Sequence, residues 1–495
     1  MKTFLTIWLG QFISRIGTAM TRFALLIWVY EQTGSATNVA LLGFAAFLPM
    51  IVISPLAGVW IDRFDRRKIL IFSDLGAGVM TAVLLALVAT DQLQLWHLYL
   101  AEGVAGAFEA FQIPAYTAVT STLLPQNQYG RANGLRALAN FGSQVLAPAL
   151  GGLCLVWMGL SGVMMIDVLT VLTAVGMLLV VRIPPVQNDA ASAPKAALGQ
   201  ELRVGFRLIW QHKGLTALVG ITTLIHFFAA LTWLSIMPAM ILARSGNNEL
   251  ALAGVQSAMG IGGVLGGILM SAWGGPWRKI HGFLLGIAFS FLLGDIPLAI
   301  GRSLPIWIIA AGLGSFFIPI LSGSNDAIWQ SIVPQAVQGR VFSVRTMLNN
   351  AFLPVGYLLG GTLADRIMEP AMAVNGQLAP MFGWLVGTGS GAGMALMYIG
   401  SAVLAIAVCL LAYLFPAVRR VEDIKWGGAG EYRPSAVPAS ADAGERYAEK
   451  ELLDEPVVKS FRLLPLVKGK RFLGDKDNET HPRNHQRPAT PVPDP

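Results

Sequence analysis

Long apolar runs recur along the chain, parted by short polar or basic stretches. Twelve of them are long enough to cross about 30 Å of hydrocarbon as helices: 4–29, 38–61, 69–90, 95–122, 134–157, 161–182, 213–242, 251–273, 281–300, 305–330, 343–366 and 391–415. Between the sixth and seventh the pattern changes. Ile183 to Ala197 is a Pro/Ala segment; after it Leu198, Leu202, Phe206 and Ile209 fall on one side of a helix, with Arg203 and Arg207 elsewhere. That stretch is predicted to lie on the membrane surface. Beyond Phe415 prolines and charges replace the apolar pattern, so a disordered tail with one short helix near 444–454 is expected. The organisation expected is a six-helix half over 1–182, a cytoplasmic linker with an amphipathic helix over 183–212, a second six-helix half over 213–415 and a cytoplasmic tail over 416–495.

The two halves repeat. Pro125-Gln126 and Pro334-Gln335 lie 209 residues apart, as do Gly130-Arg131 and Gly339-Arg340, Arg136 and Arg345, Asn140 and Asn349, and Gly151-Gly152 and Gly360-Gly361. One constant offset across two sets of six apolar runs is the mark of a duplicated transporter architecture. The fold class expected is an all-α membrane protein of twelve transmembrane helices in two pseudo-symmetric halves.

Composition agrees. The apolar set makes up 54% of the chain and DEKR only 13%, about half the charge of an ordinary soluble domain. That excludes a cytosolic enzyme, a disordered protein and a disulfide scaffold. Net charge is +7, but the basic residues cluster at the ends of apolar runs, which points to membrane topology rather than nucleic acid. Loops on one side hold fifteen Lys and Arg, among them Arg63, Arg66, Arg67, Lys68, Arg131, Arg136, Arg340 and Arg345; the other side holds Arg244, Arg302 and Arg366. The positive-inside rule then puts both termini in the cytoplasm. Arg15 and Arg22 interrupt the first run, which is therefore expected to be a retained span and not a signal peptide. Cys154 and Cys409 lie inside apolar runs and read as packing residues.

Three stretches carry finer signals. After the second run comes Gly58-Val-Trp-Ile-Asp62-Arg63-Phe-Asp65-Arg66-Arg67-Lys68, in which Gly58 permits close helix approach and Asp62 can accept hydrogen bonds at a helix N-terminus. The fifth run holds Gly142-Ser-Gln-Val-Leu-Ala-Pro148-Ala-Leu-Gly151-Gly152, where the proline frees a backbone carbonyl and the glycines allow bending and close packing. The chain opens with Gly10-Gln-Phe-Ile-Ser14 and Trp28-Val-Tyr-Glu31-Gln-Thr33-Gly-Ser-Ala36. The first stretch resembles the loop motif G-x-x-x-D-R-x-G-R-R/K of the major facilitator superfamily, with Asp65 in place of the usual glycine. The second resembles the Gly/Pro helix motif of drug:proton antiporters. Together with the opening segments, Gly130-Arg-Ala-Asn-Gly134 and the stretch from Glu201 to His212, they resemble the third drug:proton antiporter family, which includes macrolide efflux proteins and the enterobactin exporter. That resemblance implies the fold, export and proton coupling. The arginine usual in the fourth span of other drug antiporters is absent.

Charges inside the spans are the candidate chemistry, because each is costly in lipid. Glu102 and Glu109 lie seven residues apart in the fourth run, and Arg15 and Arg22 seven apart in the first. Nearly two turns separate each pair, so each shares one helix face. Gln11, Ser14, Thr18 and Arg22 extend that face into a polar stripe. The resemblance implies that both spans line a central cavity, antiparallel, with Arg22 facing Glu102 and Arg15 reaching Glu109. The four charges read either as a proton-coupling and substrate group or as a static ion-pair network. His226 in the seventh span is a further substrate or proton candidate. Asp326, near Ser322, Ser324 and Asn325, is expected to meet Arg340 or Arg345 as a gate contact. Structural hydrogen bonding is expected of Asp167 and Asp295, and Trp233 and Trp329 are candidate cavity aromatics.

No ATP-binding loop, H-E-x-x-H, G-x-S-x-G or Cys/His metal cluster occurs, so neither catalytic residues, metal nor cofactor is expected. The function expected is efflux of a small amphipathic compound, such as a drug, siderophore or secondary metabolite, by proton antiport and alternating access. The protein would act as a multi-pass protein of a bacterial inner membrane. Its partners would be the substrate, protons and lipid, without nucleic acid, and it would work as a monomer. A nutrient importer of the same fold and a non-transporting membrane sensor are the alternatives.

Overall fold

A computed structural model of the chain describes residues 2–124, 129–181, 198–334 and 337–424. Among them the regular structure is helical throughout. The first passes are α1 (Lys2–Thr33), α2 (Ala36–Arg63), α3 (Arg66–Ala89) and α4 (Leu95–Leu123). Helix α5 (Tyr129–Val180) is two passes in one. Gly159, at φ +66° in the region that only glycine enters freely, lets the chain fold back. Gly142 before it packs beside Phe12, and Met177 after it beside Gly10, so both limbs return to the start of α1.

The second half follows α6 (Leu198–Gln211). Its passes are α7 (Lys213–Ala229) with α8 (Met237–Ser245), α9 (Glu249–Trp273), α10 (Lys279–Ser290) with α11 (Ile296–Ile300), α12 (Leu304–Phe316) with α13 (Ile318–Ile332), α14 (Gln338–Asn350) with α15 (Leu353–Leu363) and α16 (Glu369–Met372), and, after the short α17 (Ala379–Val386), α18 (Ala392–Leu414). Three wide π turns join segments of the seventh, ninth and eleventh passes, at Ala230–Leu234, Phe291–Asp295 and Ala364–Met368. Nine helical stretches among the described residues are long and apolar enough to cross a membrane. One of them, α5, crosses twice, and α4 and the α14–α15 run complete the twelve passes. Leucines, valines and isoleucines ring the outside, among them Leu169, Val180, Leu265, Ile268 and Leu410, all more than half exposed in the isolated chain. Such a surface requires lipid.

Two expectations need correction. The apolar face of α6 is buried in protein: Leu208 and Ile209 join a core with Val341 and Val344 of α14, and Gly205 sits directly against the Arg340 carbonyl. An amphipathic stripe fits a lipid surface or a helix groove equally well, and here the groove takes it. Nor does the folded body stop at Phe415. The turn α19 (Pro416–Arg419) and the residues after it bury Val418 and Val421, and the Glu422 carboxylate accepts the Ile280 amide at 2.7 Å. The helix expected near 444–454 lies outside the described residues.

The halves meet through α2 with α15 and through α5 with α9. A Cβ on Gly361 would strike the Thr37 backbone, so only glycine admits the first contact. Asp365, just beyond α15, accepts hydrogen bonds from Ser35 Oγ at 2.6 Å, Ala36 N at 3.0 Å and Thr37 N at 2.8 Å. A carboxylate of one half thus caps the first helix turn of the other, satisfying amides that α2 itself leaves unpaired. This junction lies on the face opposite the one that carries the start of α1.

Candidate functional site

A cavity of about 590 Å³ lies within the N-terminal half, between α1, α3, α4 and both limbs of α5. The polar stripe of α1 forms one wall, with Gln11, Ser14, Arg15, Thr18 and Arg22 all lining it. The 3- and 4-residue steps that place these side chains on one helix face therefore aim them at one space.

Arg22 holds both glutamates. Its Nε lies 3.2 Å from Glu102 Oε2 and its Nη2 3.0 Å from Glu109 Oε2. The expected partnership of Arg15 with Glu109 is not formed. The reason is the lean of helical side chains toward the N-terminus of their own helix. On antiparallel α1 and α4, Arg22 leans down and Glu109 leans up, so the two meet, while Arg15 leans away toward the termini. Arg15 is exposed to the cavity instead.

A third carboxylate joins them. Asp74 of α3, 2% exposed, lines the cavity and accepts hydrogen bonds from the amides of Gln11 and Gln112. No cation pairs with it among the described residues. Sequence reading passed over Asp74, although an acid alone in the apolar run 69–90 is itself the signal. Tyr116 and Arg136 also line the cavity, with the Arg136 guanidinium 5.5 Å above the Tyr116 ring.

The remaining candidates sit elsewhere. His226 Nδ1 contacts the Asn349 carbonyl at 3.1 Å, a bond within the C-terminal half. Asp326 meets Arg345 at 2.7 Å, and Arg345 stacks over Trp329 at 5.1 Å. Trp329 is fully buried and so lines no cavity. Trp233 donates to Asp295 at 2.7 Å, and Asp167 accepts from Thr18 and Thr81, both at 3.0 Å, as structural carboxylates do. Arg66 binds Thr122 at 2.8 Å and Arg67 the carbonyls of Leu178 and Leu179 at 2.9 and 2.6 Å, tying the start of α3 to the ends of two passes. Asp65 caps α3 through the Arg67 amide at 2.9 Å, a local use for the residue that replaces the motif glycine. The surroundings of Gly58 and the side chains of Asp62 and Arg63 lie outside what the structure describes, and Arg340 packs its backbone on Gly205. In the helix motif, Pro148 is buried. Gly142, Gly151 and Gly152 let Phe12, Phe23 and Ala253 approach closely, so the motif packs α5 against α1 and α9.

Twelve passes in repeated halves, one of them enclosing a polar cavity, describe a transporter, and the family model for the Major Facilitator Superfamily matches residues 7–357. The chain belongs to the major facilitator superfamily. Relatives within it include Macrolide efflux protein A of Streptococcus pyogenes, 29% identical over 369 residues that cover 74% of this chain and 90% of the relative. The Multidrug efflux pump Tap of Mycolicibacterium fortuitum is 25% identical over 361 residues, covering 70% and 86%. Among solved structures, the fold matches a bacterial homolog of the human lysosomal transporter Spinster in its inward-facing, unoccupied conformation, with a TM-score of 0.61 and 17% identity over 86% of this chain and 99% of that one. It also matches the nucleoside transporter NupG, with a TM-score of 0.60 and 10% identity over 84% and 100%. As a member of this superfamily, the protein is a multi-pass membrane transporter of a small molecule.

Proposed function

We propose that the protein exports a small amphipathic compound in exchange for protons, by alternating access through the cavity of the N-terminal half. The observation that carries this reading is that the two carboxylates lining the cavity, Glu109 and Asp74, have different partners. Glu102 and Glu109 share Arg22, while Asp74 has only the amides of Gln11 and Gln112. A carboxylate held by a guanidinium stays ionised; once released in a low-dielectric wall it takes a proton. A shift of α1 against α4 within the N-terminal half, coupled to the rocking of the halves, would open the Arg22–Glu109 contact and make Glu109 a proton carrier, with Asp74 as a second site. Substrate entering the cavity would favour reclosure of that pair, which expels the proton, so that substrate and proton occupy the cavity in turn.

Orientation follows the loop charges: the face bearing the termini is cytoplasmic, and the membrane is a bacterial inner membrane. The α2–α15 junction then closes the external side and the cavity is reached from the cytoplasm, the state in which an exporter loads. The cavity is complete within one chain, which favours a working monomer. Each proton entering with a 100 mV potential supplies about 2.3 kcal/mol.

The test is proton flux in proteoliposomes holding the full chain and a pH-sensitive dye. Substrate addition should release protons from the wild type, and Glu109→Gln and Asp74→Asn should each bind substrate yet lose that release. Normal substrate-induced release in both variants would leave the glutamates as a static ion-pair network.

A further inference from the structure

We propose that Arg15, Arg136 and Tyr116 form an anion-binding subsite in this cavity, and that the compound carried presents to it a carboxylate attached to a flat apolar frame.

The charges in the wall are unequally matched. Arg22 is occupied by two glutamates, and Asp74 by two amides. Arg15 and Arg136 line the same cavity and have no carboxylate partner among the described residues. The Arg136 guanidinium of α5 stands 5.5 Å above the Tyr116 ring of α4, and Arg15 of α1 lines the same cavity. Tyr116 Oη is buried without a hydrogen-bond partner, a state that costs free energy until an acceptor arrives. Two cations and an orphaned donor converging from three helices constitute a receptor for an oxyanion, which a guanidinium binds with two parallel hydrogen bonds.

The duplicated half shows what this geometry is for. Arg345 stands 209 residues after Arg136 and likewise stacks over an aromatic ring, at 5.1 Å from Trp329. There the guanidinium is satisfied internally by Asp326 at 2.7 Å. The residue 209 positions before Asp326 is Thr117. The N-terminal half therefore keeps the stacked arginine but lacks the acid that completes it, and an incoming carboxylate restores the missing partner. The frame next to that carboxylate meets Trp8 and Phe12, which stack at 5.5 Å and line the cavity.

This inference rests on the export reading only in treating the bound compound as cargo, so binding and transport are measured separately. The full chain in lipid nanodiscs is titrated calorimetrically with 1-naphthoate, 1-naphthamide and 1-naphthylmethylammonium, which share one ring system. Naphthoate should bind about tenfold more tightly than either analogue, as one charge-assisted hydrogen bond implies. Arg15→Gln and Arg136→Gln should each erase that preference and leave naphthamide binding unchanged. Thr117→Asp supplies the acid found in the other half, keeps both arginines, and should erase the preference as well. Equal binding of the three probes, preference for the ammonium, or a preference that survives Thr117→Asp overturns the subsite. Efflux is then followed from proteoliposomes loaded with each probe. Naphthoate preference without transport of any probe would leave the subsite standing and remove the export reading; transport of naphthamide with no naphthoate preference would do the reverse.

Discussion

Laid over one another at the 209-residue offset, the two halves carry opposite chemistry at matching positions. Where α1 has Arg15 and Arg22, the seventh pass has Leu224 and Leu231. Asp74 corresponds to Phe283, Glu102 to Ala311 and Glu109 to Ile318. In the opposite sense, Asp326 of the second half corresponds to Thr117 of the first. The pairs Asp326–Arg345, Asp295–Trp233 and His226–Asn349 close within the C-terminal half, whereas Arg15, Arg22, Asp74 and Glu109 of the N-terminal half line a cavity. Duplication supplied one scaffold twice; the division of labour came from which copy kept ionisable side chains facing inward.

The largest effects should come from exchanging charge in the N-terminal half. Glu109→Gln and Asp74→Asn are expected to abolish substrate-induced proton release, whereas Asp326→Asn in the C-terminal half should leave proton stoichiometry intact, as read by pH-dye flux in proteoliposomes. Comparable loss in Asp326→Asn would spread coupling over both halves and break the comparison. Next in size is the stability of the shared ion pair. Arg22→Gln strands Glu102 and Glu109 without their cation, and breaking a buried pair in that way costs about 3–5 kcal/mol. The Arg22 side chain is 37% exposed to the cavity, so the lower end, about 3 kcal/mol, is expected. Thermal unfolding in detergent measures it, and adding Glu109→Gln to Arg22→Gln should restore part of the loss. No recovery would mean that Arg22 stabilises through packing alone.

A smaller change is expected at Trp233 in the C-terminal half. Trp233→Phe removes the donor to Asp295, a fully buried carboxyl whose other oxygen already lacks a partner. A lost hydrogen bond to such a group costs about 1–3 kcal/mol. The melting temperature should fall while substrate-induced proton release stays normal; a change in release would put the C-terminal half inside the coupling machinery.

Much of this arrangement was legible in the chain. The twelve passes follow from apolar length, and the polar stripe of α1 from its 3- and 4-residue steps. The duplicated arginines follow from one offset. What was not legible has a common cause, which is that tertiary contacts choose among local options. Helical spacing places Arg15, Arg22, Glu102 and Glu109 on facing surfaces, but the lean of the side chains decides that Arg22 takes both acids. Asp74 has no partner at helical spacing in its own run, because Gln11 and Gln112 arrive from two other helices. The α6 stripe specifies an apolar neighbour without saying whether that neighbour is lipid or α14. Pro416 ends an apolar run and reads as the start of a tail, yet Val418 and Val421 are covered by a helix some two hundred residues earlier in sequence.

The smallest effect expected lies where the halves touch. Asp365 of the C-terminal half accepts from Ser35, Ala36 and Thr37 at the start of α2, and this bond network exists only while α2 and α15 are together. Separation returns the amides and the carboxylate to water, so the capping free energy contributes to the closed junction rather than to the folding of either half. Replacing a cap by alanine costs about 1 kcal/mol, which corresponds to about a fivefold change in a two-state population. Asp365→Ala should therefore shift the equilibrium toward the state with this junction open, by about fivefold, with little change in melting temperature. Spin labels placed at Asn38 and Thr362 would report it as a longer-distance component in pulsed electron resonance. Asp365→Glu, which keeps the charge but moves it by one methylene, should lie between the two. An unchanged distance distribution in Asp365→Ala would mean that the glycine-lined packing of α2 on α15 holds the halves together without the cap.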